Sequence, residues 1–198
     1  MKRFTMAMSV IVLLLVSVAV ASAAPPAAAP GKNPLTCFGE PTACTTNNKG
    51  SATLNTNNGG AGVYLAGYNS SFYGVRTNLV TKLSNTVSGG TLGIDPHWSI
   101  PIDDRNDLTA AAGYTDYFVF ASFADCNNGA GLVDVIADST CTISGPNNTS
   151  YPSWSAFVTA NPNTYIALND NYAFIIADLS GPAGVWTISN VQVGKPGK

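Results

Sequence analysis

Apolar and polar positions alternate in short runs along most of the chain, and clusters of Asn, Gly, Pro and Ser interrupt them every few residues. From Ser51 to Asn57 the residues Ala52, Leu54 and Thr56 fall on one side, and the alternation resumes from Gly62 to Ala66. A period of two is the signature of a half-buried strand. Between these runs stands Asn58-Gly59, a strong short-range signal for a hairpin. A two-residue turn there sets Leu54 opposite Val63 and Ala52 opposite Leu65, so apolar meets apolar on one face. Thr53 and Tyr64 then share the other face. Further strands are predicted over Gly74 to Leu83, Thr91 to Ile94, Trp98 to Ile102, Asp116 to Ala124, Leu132 to Ala137, Tyr165 to Leu168, Tyr172 to Asp178 and Val185 to Val193. These segments are rich in β-branched and aromatic residues. Tyr117 to Phe123 is apolar on both faces, which predicts a central strand.

One segment carries the helical period. Trp154, Phe157 and Val158 follow at i, i+3 and i+4 behind Ser153, a good N-cap, and Asn161-Pro162 stops the run. With no strand–helix–strand alternation, a parallel α/β fold is not expected. About ten short strands and one short helix near 153–160 predict an all-β fold, a two-sheet antiparallel β-sandwich of jelly-roll type.

The N-terminus has a different character. Lys2 and Arg3 precede an apolar run from Ile11 to Val20, and Ala21-Ser22-Ala23 offers a small-x-small cleavage site. This order predicts a signal peptide over 1–23, with an uncleaved anchor as the rival, since Met6 to Ala24 is long enough to span a bilayer. Residues 24–35 are rich in Ala and Pro and predict a solvated tether. The folded domain is expected over 36–194, with 195–198 as a tail. Once cleaved, the chain has seven cations against eleven acids, a net charge of −4. The chain is secreted on this reading, with no membrane span after cleavage.

Four cysteines, Cys37, Cys44, Cys126 and Cys141, suit an oxidising compartment. Zinc would need paired C-x2-C spacings or several histidines, and His97 stands alone. Four cysteines allow three connectivities; proximity favours Cys37–Cys44 and Cys126–Cys141. Asn128-Gly129 complicates the second pair. A plain hairpin around it would hold the two sulfurs about 30 Å apart at ~3.3 Å per residue. The bond is preferred, with the chain leaving its first sheet soon after Cys126.

Ser153-Trp154-Ser155-Ala156-Phe157-Val158-Thr159-Ala160-Asn161-Pro162-Asn163 and the ending Gly184-Val185-Trp186-Thr187-Ile188-Ser189-Asn190-Val191-Gln192-Val193-Gly194 resemble segments of secreted bacterial lectin-like β-sandwich domains. The resemblance implies a short helix before the late strands and a closing strand. Many such domains bind glycans, and others are uncharacterised cell-surface modules. The matched stretches are scaffold, so no binding residue is carried over.

Composition narrows the chemistry. Charged residues are 10% of the chain, against a typical ~25%. Nucleic acid is not an expected partner, because no basic run exists. A paired-glutamate glycosidase is excluded by the single glutamate, Glu40; an Asp–Asp pair is not. Asp103, Asp104 and Asp107 could hold calcium through hard oxygen ligands, although Arg105 interrupts them and a solvated loop with its own ion pair is the plainer reading. No other cofactor is expected. Asp125 with Asn127 and Asn128 reads as turn chemistry. A Ser–His–Asp triad would have to use His97, and no G-x-S-x-G elbow presents a serine. Asn69, Asn147 and Asn148 match the N-glycosylation pattern, which is common by chance in a chain with 19 Asn.

Aromatic residues give the functional hint. Tyr64, Tyr68 and Tyr73 flank or approach Asn69-Ser70-Ser71, and Tyr114 sits beside Gly113. Sugar rings stack their C–H faces on flat aromatic rings while their hydroxyls seek amide partners. Tyr64, Tyr68, Asn69, Tyr73, Trp98 and Tyr114 are therefore the candidate ligand-binding residues; Trp154 and Trp186 are expected in the core. The expected function is a secreted, non-catalytic module binding an extracellular glycan or cell-surface polymer. The alternative is a structural or adhesive surface protein, with an Asp-dependent hydrolase behind both.

Overall fold

The computed structural model describes residues 35–47, 50–65, 74–93, 96–106, 113–126, 131–167, 175–178 and 183–194. The predicted signal peptide, nearly all of the tether and the tail lie outside them. In chain order the strands are β1 (Leu35–Gly39), β2 (Cys44–Thr46), β3 (Ala52–Asn55), β4 (Ala61–Leu65), β5 (Lys82–Gly89), β6 (His97–Asp104), β7 (Tyr117–Ser122), β8 (Leu132–Asp134), β9 (Ile143–Ser144) and β10 (Ser150–Tyr151). The helix α1 (Trp154–Ala160) follows, then β11 (Thr164–Ile166), β12 (Ile175–Asp178) and β13 (Val185–Gly194). The fold is all-β.

Hydrogen bonding groups these strands into an eight-stranded sheet, in the order β1-β4-β12-β6-β7-β9-β10 with β11 also on β6, and a five-stranded sheet, in the order β2-β3-β13-β5-β8. Every pairing between these strands is antiparallel. One buried cluster takes residues from both. Val63, Trp98, Ile100, Ile102, Val119 and Ala121 come from the larger sheet; Leu54, Leu83, Val87, Val133, Trp186 and Ile188 come from the smaller. Alternate residues of β3, β5, β6, β7 and β13 thus point into shared apolar space.

The expected hairpin at Asn58-Gly59 does not form. Leu54 pairs with Cys44 and Trp186, and Val63 pairs with Cys37 and Ile176, in different sheets. Both side chains are inward-facing, so the apolar match was real, but it joins two sheets through the core. A 3-10 turn over Thr56–Asn58 makes the crossing, and Gly59 adopts a φ of 118° that a side chain would resist. The turn is held by Thr56, whose N–H donates to Gly184 O and whose Oγ1 accepts from Gly184 N–H.

Two other predicted strands are displaced. Most of Gly74 to Leu83 is irregular, with a 3-10 turn at Thr77–Leu79, and β5 starts only at Lys82. Thr91 to Gly93 is not strand, and Ile94 lies outside the described residues. The helix forms as expected. Ser153 Oγ accepts from Ala156 N–H, Trp154 and Phe157 are buried, and the last turn closes at Asn161.

Both disulfides, Cys37–Cys44 and Cys126–Cys141, are present. The second resolves the tension over Asn128-Gly129, residues that themselves lie outside those described. β7 belongs to the larger sheet and β8 to the smaller, so the chain changes sheet instead of running a long hairpin. Among the described residues, no helix is long and apolar enough to cross a membrane.

Candidate functional site

The pleat of β6 sorts its side chains. Trp98, Ile100 and Ile102 point into the core, so His97, Ser99, Pro101 and Asp103 lie on the opposite, outward face, where His97 is half-buried and Ser99, Pro101 and Asp103 are buried among their neighbours. β7 continues both faces. Ala121, Val119 and Tyr117 stand opposite Trp98, Ile100 and Ile102, whereas Ser122, Phe120 and Phe118 stand opposite His97, Ser99 and Pro101. On the other side of β6, Tyr165 of β11 is opposite Asp103. The outward face thus carries His97, Phe120, Phe118 and Tyr165. Phe120 is 40% exposed, and its ring meets His97 edge to face at 5.4 Å. Phe118 and Phe120, two residues apart, are spaced by about 6.8 Å along the strand.

One end of this strip is polar. Asp103 is 2% exposed, and its Oδ2 accepts from Arg105 Nε at 3.2 Å and from Gly113 N–H at 2.9 Å. The Arg105 guanidinium lies 3.6 Å from the centroid of the Tyr165 ring. Arg76 approaches the same ring at 5.5 Å, and its Nε donates to Tyr165 Oη at 2.8 Å. Asn163 Nδ2 donates to Asn106 Oδ1, and Arg105 N–H donates to Asn163 O. Tyr114, 52% exposed, follows Gly113 directly and therefore stands at this end.

The predicted site residues are distributed differently. Tyr64 does lie on the outward side of β4, opposite Thr36, but it is only 5% exposed. β4 is flanked by β1 and β12, and Phe38 packs against the ring at 6.2 Å, so Tyr64 offers no stacking face. Trp98 is corrected outright. It is fully buried, and its Nε1–H donates across the core to Asn85 Oδ1 at 2.8 Å. Tyr114 is the member found at the surface. Tyr68, Asn69, Tyr73 and Asp107 lie outside the described residues.

Asp103 and Asp104 do not converge. Consecutive strand residues point to opposite faces, and Asp104 Oδ1 is turned to the N–H and Nδ2 of Asn106. Asp104 N–H donates to Asp116 Oδ2 at 2.6 Å. Asp104 and Asp116 lie near Tyr117, whose phenol is held well above its ordinary pKa, first by burial and then by the charges of Asp104, Tyr151 and Asp116. Among the described residues, no three His, Cys, Asp or Glu side chains gather into a metal site.

A concavity of about 430 Å³ opens beside the Cys126–Cys141 bond and is lined by Leu132, Asp134, Ala137, Asp138, Ser139 and Thr140. Its carboxylates hold local structure. Asp134 pairs with Lys82 and accepts from Ala137 N–H, while Asp138 accepts from the N–H and Oγ1 of Thr140.

Phe118, Phe120, Tyr165 and Arg76 were not singled out as site residues in the sequence, and Arg105 was read there only as an ion-pair partner within its acidic loop, which its contact with Asp103 matches. The run Tyr117 to Phe123 read as buried on both faces, whereas only Val119 and Ala121 of β7 are buried and Phe120 opens to solvent. The arginines had a countable signal. The chain has three, and Arg3 lies in the predicted signal peptide. Comparison with protein-family models, with curated proteins and with solved structures found no match.

Proposed function

We propose that this chain is an exported, non-catalytic module of jelly-roll β-sandwich type that binds a carbohydrate or similar surface polymer along the outward face of β6, β7 and β11. The single observation carrying this reading is the strip of His97, Phe120 and Phe118 on a sheet face, with Phe120 exposed. A rigid strand surface presents such rings at fixed spacing, as a repeating sugar chain requires. Strands that alternate between two sheets over a shared core support the sandwich assignment, and two disulfides support export.

Each stacked ring contributes about 0.5–1.5 kcal/mol. Two or three rings with a few hydrogen bonds give roughly millimolar to micromolar affinity after ordering costs. Affinity electrophoresis against a broad polysaccharide panel tests the reading. The wild type should be retarded by at least one polymer, and Phe120→Ala should weaken that retardation about two- to tenfold, the worth of one ring. Retardation that survives Phe120→Ala removes the strip from the site. If no polymer retards the wild type, the structural or adhesive alternative becomes the better account.

A further inference from the structure

We propose that the polymer is acidic, and that Arg76, supported by Arg105, seats its carboxylate or sulfate group beside Tyr165. This rests on the binding face proposed above and adds the charge class of the ligand. Outside the predicted signal peptide the chain contains two arginines, and both contact the same tyrosine ring. They do so in a chain that is net acidic, where cations are few and dispersed.

The two guanidinium groups differ in what is left to them. Arg105 is neutralised by Asp103, a buried carboxylate fixed in turn by Gly113 N–H. Arg76 uses Nε on the Tyr165 hydroxyl and has no carboxylate partner among the described residues. Its terminal NH2 groups point to no acceptor there, and Arg76 is exposed. The β-bridge between Arg76 and Tyr165 fixes the backbone at Arg76, and the Nε hydrogen bond to Tyr165 Oη orients the planar guanidinium, so its fork is held rather than free. A planar fork of N–H donors matches the two oxygens of a carboxylate or sulfate, and pre-ordering reduces the entropy lost on binding. Among the described residues, two cations and one carboxylate meet at this ring, a sum of +1 that an anionic ligand would cancel.

Position connects this pair to the aromatic strip. Phe120 stands opposite Ser99 and Tyr165 opposite Asp103, on the same outward face. Four residues of strand separate these levels by about 13 Å, within the span of a short oligosaccharide. A chain stacked on Phe120 and Phe118 therefore runs towards the arginines with its ring substituents in reach.

Matched polymers test this directly. Binding is measured by affinity electrophoresis and titration calorimetry with polygalacturonate and its carboxyl-reduced neutral form, and with dextran sulfate and plain dextran. The two acidic polymers distinguish carboxylate from sulfate recognition. The expected result is at least tenfold preference for one acidic polymer over its neutral partner, falling as salt rises. Arg76→Gln should abolish the preference, and Arg76→Lys should restore part of it, with an unchanged melting temperature in both. Equal affinity for both members of each pair, no retention of any of the four, or an acidic preference that survives Arg76→Gln would each overturn the inference. In the same gels Phe120→Ala reports on the strip. If it still weakens binding of a neutral polymer, the binding face stands without the charge preference; if nothing in the broad panel is retained, the face fails as well.

Discussion

Removing the hydrogen bond between Asn85 and Trp98 should expose how much the two sheets depend on one polar contact. Asn85 lies on β5 of the smaller sheet and Trp98 on β6 of the larger, and both are fully buried. Asn85 Oδ1 accepts from Trp98 Nε1–H at 2.8 Å, while Asn85 Nδ2 has no partner. Asn85→Leu leaves a buried indole N–H unsatisfied, which costs about 1–3 kcal/mol, while deletion of the partnerless Nδ2 offsets part of that loss. The expected net loss is therefore about 1–2 kcal/mol, a sizeable part of a stability of roughly 5–15 kcal/mol. Trp98→Phe strands Asn85 Oδ1 in addition to the partnerless Nδ2 and opens a void, and should cost about 3 kcal/mol or more. The double variant removes both ends together with the orphaned amide. It should be more stable than the sum of the single losses allows, by about 1–2 kcal/mol. Urea denaturation of the four proteins under non-reducing conditions measures this, with the free energies taken by linear extrapolation. Losses that add to within ~0.5 kcal/mol would show that the two side chains are not coupled and that the sheets do not meet through this bond.

Other outcomes follow from single contacts. Ser153→Ala removes the side-chain oxygen that accepts from Ala156 N–H, and thermal melts should show a loss of about 1 kcal/mol. Replacing Cys126 and Cys141 by serine opens a link spanning 15 residues, which should cost about 3 kcal/mol by calorimetry. Because burial and nearby acids hold the Tyr117 phenol protonated in the fold, the unfolded chain releases that proton first as pH rises past the ordinary tyrosine value of ~10. Stability should therefore fall with pH in that alkaline window, and Tyr117→Phe should flatten the slope in denaturation series at successive pH values.

The sequence was most legible where local chemistry and tertiary structure agree. Ser153, the spacing of Trp154 and Phe157, and Asn161-Pro162 specify a helix with little outside help, and it forms where they place it. The local cysteine pairs were also readable, since short loops bring them together. The Asn58-Gly59 hairpin failed because pairing Leu54 with Val63 satisfies the same apolar rule within a sheet or across a core. A period of two gives a face but does not say what covers it. Tyr64 was assigned its correct outward side, yet Phe38 and the flanking strands bury it. The same ambiguity hid Phe120, which looks like core in sequence and stands open in the fold. The arginine pair depends on β11 lying beside β6, with Arg76 reaching Tyr165 from 89 residues away, a contact that no local pattern encodes.

Residue-resolved binding on the intact protein tests the central claim most directly. Oligosaccharide fragments of a retained polysaccharide are titrated into isotopically labelled protein, and amide and aromatic resonances are followed by nuclear magnetic resonance. The expected shifts concentrate at His97, Phe118, Phe120, Tyr114 and Tyr165, with the buried Trp98 and Trp186 indole signals unmoved. Shifts confined to the concavity beside Asp134 and Asp138, or scattered without saturation, would contradict a binding face on the larger sheet.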